Sequence, residues 1–529
     1  MSPPTAYDVV IIGGGINGAG IARDAALRGL EVLLLEQNDF GSGTSSWSSR
    51  LIHGGLRYLE HGEIPLVYES LRERRVLQEV APHLVTRLRI NIPVYDHSKR
   101  GLLLLRAGMI AYDLLSLGKS LPNHRVLNRE QFLRNEPGVN PSGLQGGVQY
   151  HDAQVAFAER LVMENILAAH NAGAVVENYS PVTSIVVENG RVNHVVYRHG
   201  ENGQKREAQA QIVVNASGPW VDDVLSKTTL PGRKLIGGTK GSHIIVGAFD
   251  GSPKDAFYVE ARSDGRPFFI IPWNGQYLIG TTDIRYDGDP AEAVASPEEI
   301  DYLLRETNRI FPQANLGTAD IHYTYAGVRP LPRRSAGPES AITRKHIIRR
   351  HEGAKGLWTV IGGKLTTYRS LAEDALDRIM RRSGLEAGAC KTREELLPGA
   401  AGLDGTETAD RGLQIPEEAR ARLPRIYGSR TRDILDLMRN EPVLAAEAGP
   451  GILAAEVVFA IRFEFARTLI DILHRRTMIG LSPDLGRSAA VEIAAVAARE
   501  LGWSEAETEQ QLSALRAYNE RLTPLTRPG

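Results

Sequence analysis

A glycine-rich turn near the N-terminus is the first residue pattern with the means to bind a cofactor. Gly13, Gly15 and Gly18 are spaced Gly-x-Gly-x-x-Gly. Glycines at these positions let the backbone approach a pyrophosphate, and the start of a following helix adds amide donors and the positive end of its dipole. Glu36 stands 18 residues after Gly18, where a carboxylate can accept hydrogen bonds from ribose hydroxyls. The pattern predicts a dinucleotide site rather than a purely structural turn. Its predicted contacts also include Gly14 and Asn17.

Three further segments favour FAD over NAD as the dinucleotide. Residues 43–49 offer hydroxyls and amides beside the pyrophosphate, and residues 215–220 follow a predicted strand that would close over the adenosine. Residues 362–367 join a strand to a helix, whose dipole would stabilise negative charge on a reduced flavin ring. Each segment alone could equally be an ordinary turn or helix cap. The cofactor contacts predicted here are Thr44, Ser45, Ser46, Ser217, Gly218, Trp220, Gly363, Lys364, Leu365 and Thr366.

Several motifs resemble one flavoprotein family over nearly the whole chain. The stretch SSRLIHGGLRYL at 48–59 is similar to the FAD-dependent glycerol-3-phosphate dehydrogenases, which reduce quinone and associate with membranes. GSH at 241–243, IGTTD at 279–283, AGVRPL at 326–331 and GGKLT at 362–366 carry the same resemblance, and Arg467-Thr468 and Arg475-Arg476-Thr477 resemble the family's C-terminal helical domain. The resemblance implies an α/β fold of the glycine/D-amino-acid oxidase type. It comprises a Rossmann-like FAD-binding domain, an interleaved mixed-sheet substrate domain and a C-terminal all-α domain.

The resemblance also places three cations at the substrate, around a phosphate and a reacting alcohol. They are Arg57, Arg329 and Lys364, which stand beside glycine-rich turns in widely separated segments. A phosphate dianion needs convergent cations, and the guanidinium fork matches phosphate geometry. A single arginine taken alone is more often a solvated surface residue.

Oxidation of a secondary alcohol removes a proton from oxygen and a hydride from carbon. Flavin N5 is the expected hydride acceptor, and a base should accept the proton. His53 and His243 lie in the motifs that carry the resemblance, and the sequence does not choose between them as the base. Arg329 or Lys364 could instead stabilise the developing alkoxide. Tyr58 either lines the site or packs as a core aromatic. The implied cofactor contacts also include His53, Gly54 and Gly55, and His243 is also an implied substrate contact.

The elements that must position these residues begin with a βαβ unit. Strands are predicted at 8–12 and 31–36 with a helix at 17–28 between them, and residues 182–197 predict a hairpin that turns at Asn189-Gly190. Further strands are predicted at 211–215, 243–246, 268–272, 277–280 and 358–361, and helices at 66–84, 155–172, 297–311, 367–382, 416–427, 431–440, 454–476 and 488–501. We predict an FAD domain of about residues 1–95, 150–233 and 326–390, a substrate domain of about 96–149 and 234–325, and a C-terminal helical cap domain of 391–529.

The composition limits the partners that the chain can have. The 529 residues include 62 basic and 63 acidic side chains, for a net charge of −1, so we expect no nucleic-acid partner. The single cysteine, Cys390, excludes an intramolecular disulfide. It also argues against zinc and iron–sulfur clusters bound by several thiolates, and we expect no metal. Neither a signal peptide nor a transmembrane helix is predicted. Five basic residues and one acidic residue accompany the apolar residues between Lys99 and Arg125, which fits an interfacial helix or an ordinary half-buried one.

The sequence therefore predicts an enzyme that oxidises sn-glycerol 3-phosphate to dihydroxyacetone phosphate with FAD and then reduces a membrane quinone. We expect it in the cytoplasm, peripheral on the inner face of the plasma membrane, with a homodimer left open. A glycerol-3-phosphate oxidase that uses oxygen shares the motifs, although the family's oxidases tend to carry an insertion that is not seen here. An amine or amino-acid oxidase of the same fold would bind a carboxylate, whereas Arg57 together with Lys364 favours a more highly charged anion.

Overall fold

The architecture is given by a computed structural model with two β-sheets and a helical C-terminal region. The structure describes residues 5–60, 62–116, 121–200, 202–229, 234–333, 345–403 and 412–525, without the side chains of Thr5, Arg57 and Glu60. The expected α/β fold of the glycine/D-amino-acid oxidase type, with a C-terminal helical domain, is confirmed.

The first sheet carries the glycine-rich turn. Strand β1 (Thr5–Ile12) lies parallel to β2 (Val32–Leu35), and helix α1 (Ile16–Leu27) connects them, which confirms the predicted βαβ unit. The two strands are apolar along nearly their whole length, as expected where a parallel sheet is covered on both faces. The other described strands of this sheet are β7 (Val175–Glu177), β8 (Val182–Glu188), β9 (Arg191–Arg198), β10 (Lys205–Asn215), β17 (Ile347–Arg350) and β18 (Leu357–Ile361). Their order is β17–β18–β10–β1–β2–β7, and the predicted hairpin, β8 with β9, pairs onto β10.

The second sheet is mainly antiparallel and contains the longest strand pair of the described chain. β4 (Val85–Tyr95) pairs with β6 (Leu144–Val155), from Val85 opposite Val155 to Tyr95 opposite Leu144. The other described strands are β3 (Leu51–Ile52), β5 (Arg125–Asn128), β11 (Thr239–Val246), β12 (Ala256–Glu260), β13 (Pro267–Trp273), β14 (Gln276–Gly280), β15 (Ile284–Arg285) and β16 (Ile321–Arg329). This sheet thus includes β3, β4, β6 and β16. The division of the chain into an FAD domain and a substrate domain stays a prediction.

Helices cover the first sheet and make up the C-terminal region. α1 packs against α6 (Ala158–Asn171) and α9 (Tyr368–Ser383). The remaining described α-helices up to residue 390 are α2 (Leu56–Glu60), α3 (Ile64–Val80), α4 (Leu102–Leu115), α5 (Arg129–Asn135), α7 (Val221–Ser226) and α8 (Pro297–Ile310). After residue 390 they are α10 (Glu417–Tyr427), α11 (Thr431–Asn440), α12 (Ala454–Phe463), α13 (Leu469–Asp471), α14 (Ala490–Leu501) and α15 (Glu505–Glu520), with a π-helix at Ile472–Arg476.

The prediction of a single helix over residues 454–476 is wrong. α12 ends at Phe463, and the chain resumes as α13 only at Leu469. Phe465 takes a φ of 59°, which a continuing right-handed helix does not allow. The predicted helix at 155–172 also starts later than expected, because Val155 is still paired in β6. The interruption after α12 places Glu464 where it can contact Arg160 of α6.

Glu464 forms a buried ion pair between the C-terminal region and α6. Arg160 donates to both Glu464 oxygens, at 2.6 and 2.7 Å, and Arg430 donates to Oε1 at 2.5 Å. The side chains of Arg160 and Glu464 are fully buried. Burial alone would raise the pKa of Glu464, but the two guanidinium groups outweigh it and lower the pKa to about 2. The carboxylate is therefore charged at neutral pH and ties two parts of the chain together.

Replacement of this carboxylate should destabilise the fold in a pH-dependent way. Glu464→Gln leaves a buried arginine without its counter-charge, so we expect the free energy of unfolding at pH 7 to fall by about 3–5 kcal/mol. Because an unfolded glutamate has a pKa near ~4.3, the stabilisation is complete above that pH and is lost as the pH falls towards the folded value. Denaturant titrations between neutral and acidic pH should show variant and wild type converging in acid. The control Glu500→Gln, which breaks the partly exposed pair with Arg462, should cost less than about 1 kcal/mol. An equal loss in both variants would contradict the expectation.

Candidate active site and cofactor cavity

The glycine-rich turn between β1 and α1 is packed too closely for side chains. A Cβ on Gly18 would overlap the carbonyl oxygen of Gly13, and a Cβ on Gly13 would lie 2.8 Å from the Ala216 carbonyl oxygen. Gly13 also has a φ of 110°, which L side chains rarely adopt. The N–H of Ile16 at the start of α1 donates to Ser45 Oγ at 3.0 Å. The turn and the start of α1 therefore border a cavity together with Ser45.

Glu36 lies at the carboxyl end of β2, beside this turn. Its carboxylate accepts hydrogen bonds from the N–H of Gly14 at 2.7 Å and from the N–H of Asn38 at 2.8 Å. Burial raises the pKa of Glu36, while these N–H donors act in the opposite direction. The carboxylate lines the cavity next to the turn, in the position where ribose hydroxyls are held in dinucleotide-binding folds.

The cavity at the turn has a volume of about 600 Å³ and collects most of the predicted cofactor contacts. Ser46 does not line it, because its hydroxyl is buried and donates to the Gly41 carbonyl oxygen at 2.7 Å. Gly14 and Gly18 lie behind the wall and shape the turn. The predicted residues that do line this cavity are Gly13, Gly15, Asn17, Glu36, Thr44, Ser45, Ser217, Gly218, Trp220, Gly363, Lys364 and Leu365.

The cavity wall suits a dinucleotide with many polar atoms. The side-chain oxygen of Asn17 is buried there and has no hydrogen-bond partner among the described residues. Asn17 Nδ2 donates to the Gly362 carbonyl oxygen at 3.2 Å, so the free oxygen is held in place. A buried acceptor of this kind calls for a donor from a ligand. The glycine-rich turn, Glu36 and this oxygen together fit the adenosine and pyrophosphate parts of FAD.

A second cavity of about 460 Å³ adjoins the first. Thr44, Ser48 and residues 363–365 line both, so one wall is common to the two spaces. The predicted residues His53, Gly55, Tyr58, Arg329 and Thr366 line the second cavity. Gly54 does not, since its backbone N–H is turned to the Tyr112 hydroxyl at 3.0 Å. The shared wall brings a candidate substrate space next to the candidate flavin space.

Two of the three predicted cations meet in the second cavity. Arg329 donates to Asp283 at 3.1 Å and to Thr281 Oγ1 at 3.1 Å. Lys364 donates to Ser70 Oγ at 2.9 Å, and its Nζ lies 4.2 Å from the centroid of the Tyr58 ring. The side chain of Arg57, the third, lies outside the described part of the chain, although its backbone belongs to α2. Arg329 and Lys364 give the cavity a positive wall suited to an anion.

The two candidate histidines differ in their access to the second cavity. His53 is half-buried and lines the second cavity, and its backbone N–H donates to Thr366 Oγ1 at 3.2 Å. His243 is only 2% exposed and lies behind the wall, with Nε2 at 2.8 Å from Ser49 Oγ. Burial and the positive charges of Arg329 and Arg50 lower the pKa of His243 well below its ordinary value. His53 is therefore the histidine with direct access to a bound molecule.

Sequence reasoning missed other residues that line the cavities. Arg266, Phe269 and Tyr258, all in or beside β12 and β13, line the second one. No glycine-rich motif surrounds these residues, so no sequence signal identified them as part of a site. The larger cavity is also lined by six residues after position 467, which no motif for cofactor binding had indicated: Thr468, Ile470, Arg475, Tyr518, Arg521 and Leu522.

Known proteins agree with this geometry. Residues 8–369 match the model of the FAD dependent oxidoreductases, and residues 390–508 match that of the C-terminal domain of alpha-glycerophosphate oxidase. A glycerol-3-phosphate dehydrogenase from Synechocystis sp. is 47% identical over 98% of this chain and 97% of its own length. A D-erythritol 1-phosphate dehydrogenase from Brucella abortus is 39% identical over 90% of this chain and 95% of its own length. The crystal structure of the glycerol-3-phosphate dehydrogenase from Bacillus halodurans complexed with FAD has a TM-score of 0.81 and 29% identity, covering 99% of this chain and 97% of that one.

The fold and the cavity at the glycine-rich turn define an FAD-dependent oxidoreductase, and FAD is its cofactor. Within that class, the chain belongs to the FAD-dependent glycerol-3-phosphate dehydrogenase family. The resemblance stated from the sequence and the preference for FAD over NAD are thus confirmed.

A methyl group in the glycine-rich turn should remove the cofactor. In Gly18→Ala the new Cβ overlaps the Gly13 carbonyl oxygen, so the turn must shift away from the pyrophosphate position. We expect the Kd for FAD to rise at least about tenfold, which corresponds to ~1.4 kcal/mol. The measurement is bound flavin per polypeptide after gel filtration, together with an FAD titration. Gly108→Ala is the control, because a Cβ on Gly108 in α4 meets nothing within 4 Å. Full flavin content in Gly18→Ala would show that the turn does not hold FAD.

Proposed function

We propose that the chain oxidises sn-glycerol 3-phosphate to dihydroxyacetone phosphate and passes the electrons from FAD to a membrane quinone. The observation that carries the proposal is the second cavity, in which Arg329, Lys364 and His53 meet beside the wall shared with the FAD cavity. The names of the relatives support the same substrate, as does the match of residues 390–508 to a domain of alpha-glycerophosphate oxidase.

The positive wall would bind the phosphate of the substrate. Arg329 presents a guanidinium held by Asp283 and Thr281, and Lys364 presents an ammonium held between Ser70 and the Tyr58 ring. Fixing both cations in this way reduces the entropy lost when the anion binds. Arg57 is proposed to join them from α2. The two charges of a phosphate monoester match such a wall better than the single charge of an amino-acid carboxylate does.

We assign the proton acceptor to His53. A general base needs access to the substrate and a pKa near the working pH. His53 lines the cavity, whereas His243 is buried and its pKa is lowered well below the ordinary value. His243 instead holds Ser49, which lines the same cavity. When bound, FAD supplies the hydride acceptor, and Arg329 or Lys364 stabilises negative charge on the substrate oxygen as the proton leaves.

A longer polyol phosphate is the second candidate substrate. The relative from Brucella abortus that is 39% identical is named D-erythritol 1-phosphate dehydrogenase. Erythritol phosphate carries the same phosphate and a hydroxyl-bearing carbon chain that is longer by one carbon. The cations and His53 would serve either compound, so the choice between them depends on the other lining residues, which include Tyr258 and Arg266.

Anaerobic reduction of the bound flavin tests the substrate and the acceptor. We expect sn-glycerol 3-phosphate to bleach the flavin faster than D-erythritol phosphate does, because the relative of 47% identity is named for glycerol 3-phosphate. Amino acids should not bleach it, because the cation wall suits a dianion. Reoxidation should be fast with a soluble quinone analogue and slow with oxygen. In His53→Asn the rate constant of bleaching should fall about 10²–10⁴-fold, the usual contribution of a general base.

The controls for this experiment separate loss of the base from loss of the cofactor. His53→Asn should keep a full complement of FAD, and His194→Asn, in the β8–β9 hairpin of the first sheet, should reduce its flavin at the wild-type rate. Fast bleaching by erythritol phosphate alone would support the second substrate. Faster reoxidation by oxygen than by quinone would indicate an oxidase. Unchanged bleaching in His53→Asn would exclude His53 as the base.

We further propose that α4 attaches the protein to the membrane that holds the quinone. Among the described helices, none is long and apolar enough to cross a bilayer. α4 nevertheless exposes a row of apolar side chains, including Leu103 at 83% and Leu104 at 63% exposure. Lys99, Arg100 and Arg106 accompany them. An exposed apolar face with basic flanks is typical of helices that lie in the membrane interface.

Polar substitution on α4 should release the protein from vesicles. In Leu103→Ser/Leu104→Ser, two side chains can no longer enter the lipid, and each is worth up to about 1.5–3 kcal/mol when fully buried. We expect binding to anionic phospholipid vesicles in a sedimentation assay to weaken at least about tenfold. The matched control is Val443→Ser/Val491→Ser, which removes two side chains of 66% and 63% exposure from the C-terminal region. Equal pelleting of both double variants would rule out α4 as the attachment site.

A further inference from the structure

The C-terminal region supplies one wall of the FAD cavity. The match to the FAD dependent oxidoreductases ends at residue 369, yet six residues after position 467 line the cavity. They line the same cavity as the glycine-rich turn and Glu36. The helical region is therefore more than a cap on the outside of the molecule, because it forms part of the surface that would enclose FAD.

Two consecutive arginines of the π-helix anchor this wall. Arg475 donates to Asp39 at 2.5 Å and to Asp471 at 2.6 Å, and Arg476 donates to both Asp39 oxygens at 2.8 and 2.7 Å. Asp39 is fully buried, three residues after Glu36. Consecutive residues of an α-helix project about 100° apart, and the wider turn of a π-helix reduces that angle, so both side chains reach one carboxylate.

Residues 518–522, here called the C-terminal clasp, contribute to the cavity lining and contact three other segments of the chain. The Tyr518 ring packs against Trp47 of the 43–49 segment, with 6.4 Å between centroids. Arg521 donates to the carbonyl oxygen of Ala291, which also lines the cavity. The Leu522 carbonyl oxygen accepts a hydrogen bond at 2.7 Å from the N–H of Thr324 in β16. Tyr518, Arg521 and Leu522 themselves line the cavity.

We infer that the C-terminal clasp, whose Asn519 is hydrogen-bonded to His474 of the π-helix, holds FAD in its cavity and limits the rate at which it leaves. In this inference, release of the cofactor requires residues 290–294 and 518–522, which both line the cavity, to move apart. Opening breaks the Arg521 bond to Ala291 and separates the Tyr518 ring from Trp47. These contacts lie outside the glycine-rich turn, so the clasp governs the retention of FAD independently of the residues that recognise its pyrophosphate and ribose.

The dissociation rate of FAD from the holoenzyme tests this inference. The variants are Arg521→Gln and Tyr518→Leu, singly and together, in the full chain. The control is Arg516→Gln, also on α15, whose guanidinium binds Glu509 on the surface. The gain of flavin fluorescence after dilution into FAD-free buffer gives the rate. We expect about tenfold faster dissociation in the double variant, a smaller increase in each single variant, and the wild-type rate in Arg516→Gln.

Melting temperatures at increasing FAD concentration distinguish loss of retention from general destabilisation. A variant that only binds FAD less tightly melts lower at limiting FAD and recovers at saturating FAD, because the cofactor stabilises the folded state by mass action. We expect that recovery for both single variants. Wild-type dissociation rates would overturn the inference. A deficit in melting temperature that is the same at every FAD concentration would also overturn it, since it would mark the clasp as structural only. Arg521 is exposed, so its substitution should not prevent folding.

Discussion

The buried carboxylate of Asp39 is the interaction on which the arrangement of the molecule depends. β2 places it beside Glu36, and Arg475 and Arg476 reach it from more than 430 positions later in the chain. Burial opposes the charge, but the two guanidinium groups keep the pKa of Asp39 well below its ordinary value. Removal of Asp39 takes away the carboxylate that both terminal nitrogens of the buried Arg476 bind, which is strongly destabilising. The ribose end of the cofactor site and the C-terminal helices are thus held in one relative position.

The shared wall at residues 363–365 follows from a constraint on the backbone. Gly362 and Gly363 have φ values of 78° and 93°, which turn the chain sharply between β18 and α9. The turn lets one short segment face both cavities, with Lys364 lining each of them. Hydride transfer needs the reacting carbon and its acceptor in van der Waals proximity. The two cavities adjoin at these residues, which is the arrangement that direct transfer between a bound substrate and the flavin requires.

The sequence predicted the parts of the fold and site that are local. The β1–α1–β2 unit, the β8–β9 hairpin and the FAD-binding turn all follow from spacing over fewer than 40 residues. β4 and β6 were missed, because β6 is buried on both faces and carries polar residues such as Gln149 and Asp152, so it shows no alternation. The partnership of Asp39 with Arg475 has no local signal. The proposal of His53 over His243 as the base rests on the difference in their burial, which adjacent residues do not reveal.

The surface helix α4 and the candidate base are connected through hydrogen bonds. Tyr112 on the buried side of α4 donates to Asp152 at 2.9 Å and accepts from the N–H of Gly54 at 3.0 Å. Gly54 directly follows His53, and Arg74 binds the same Asp152 carboxylate. The exposed leucines of α4 and the segment that carries His53 therefore sit on two sides of one rigid contact. If α4 lies in the membrane interface, this contact fixes the distance between the lipid and the substrate cavity. An acceptor dissolved in lipid would then meet the enzyme on the side where the proposed oxidation takes place.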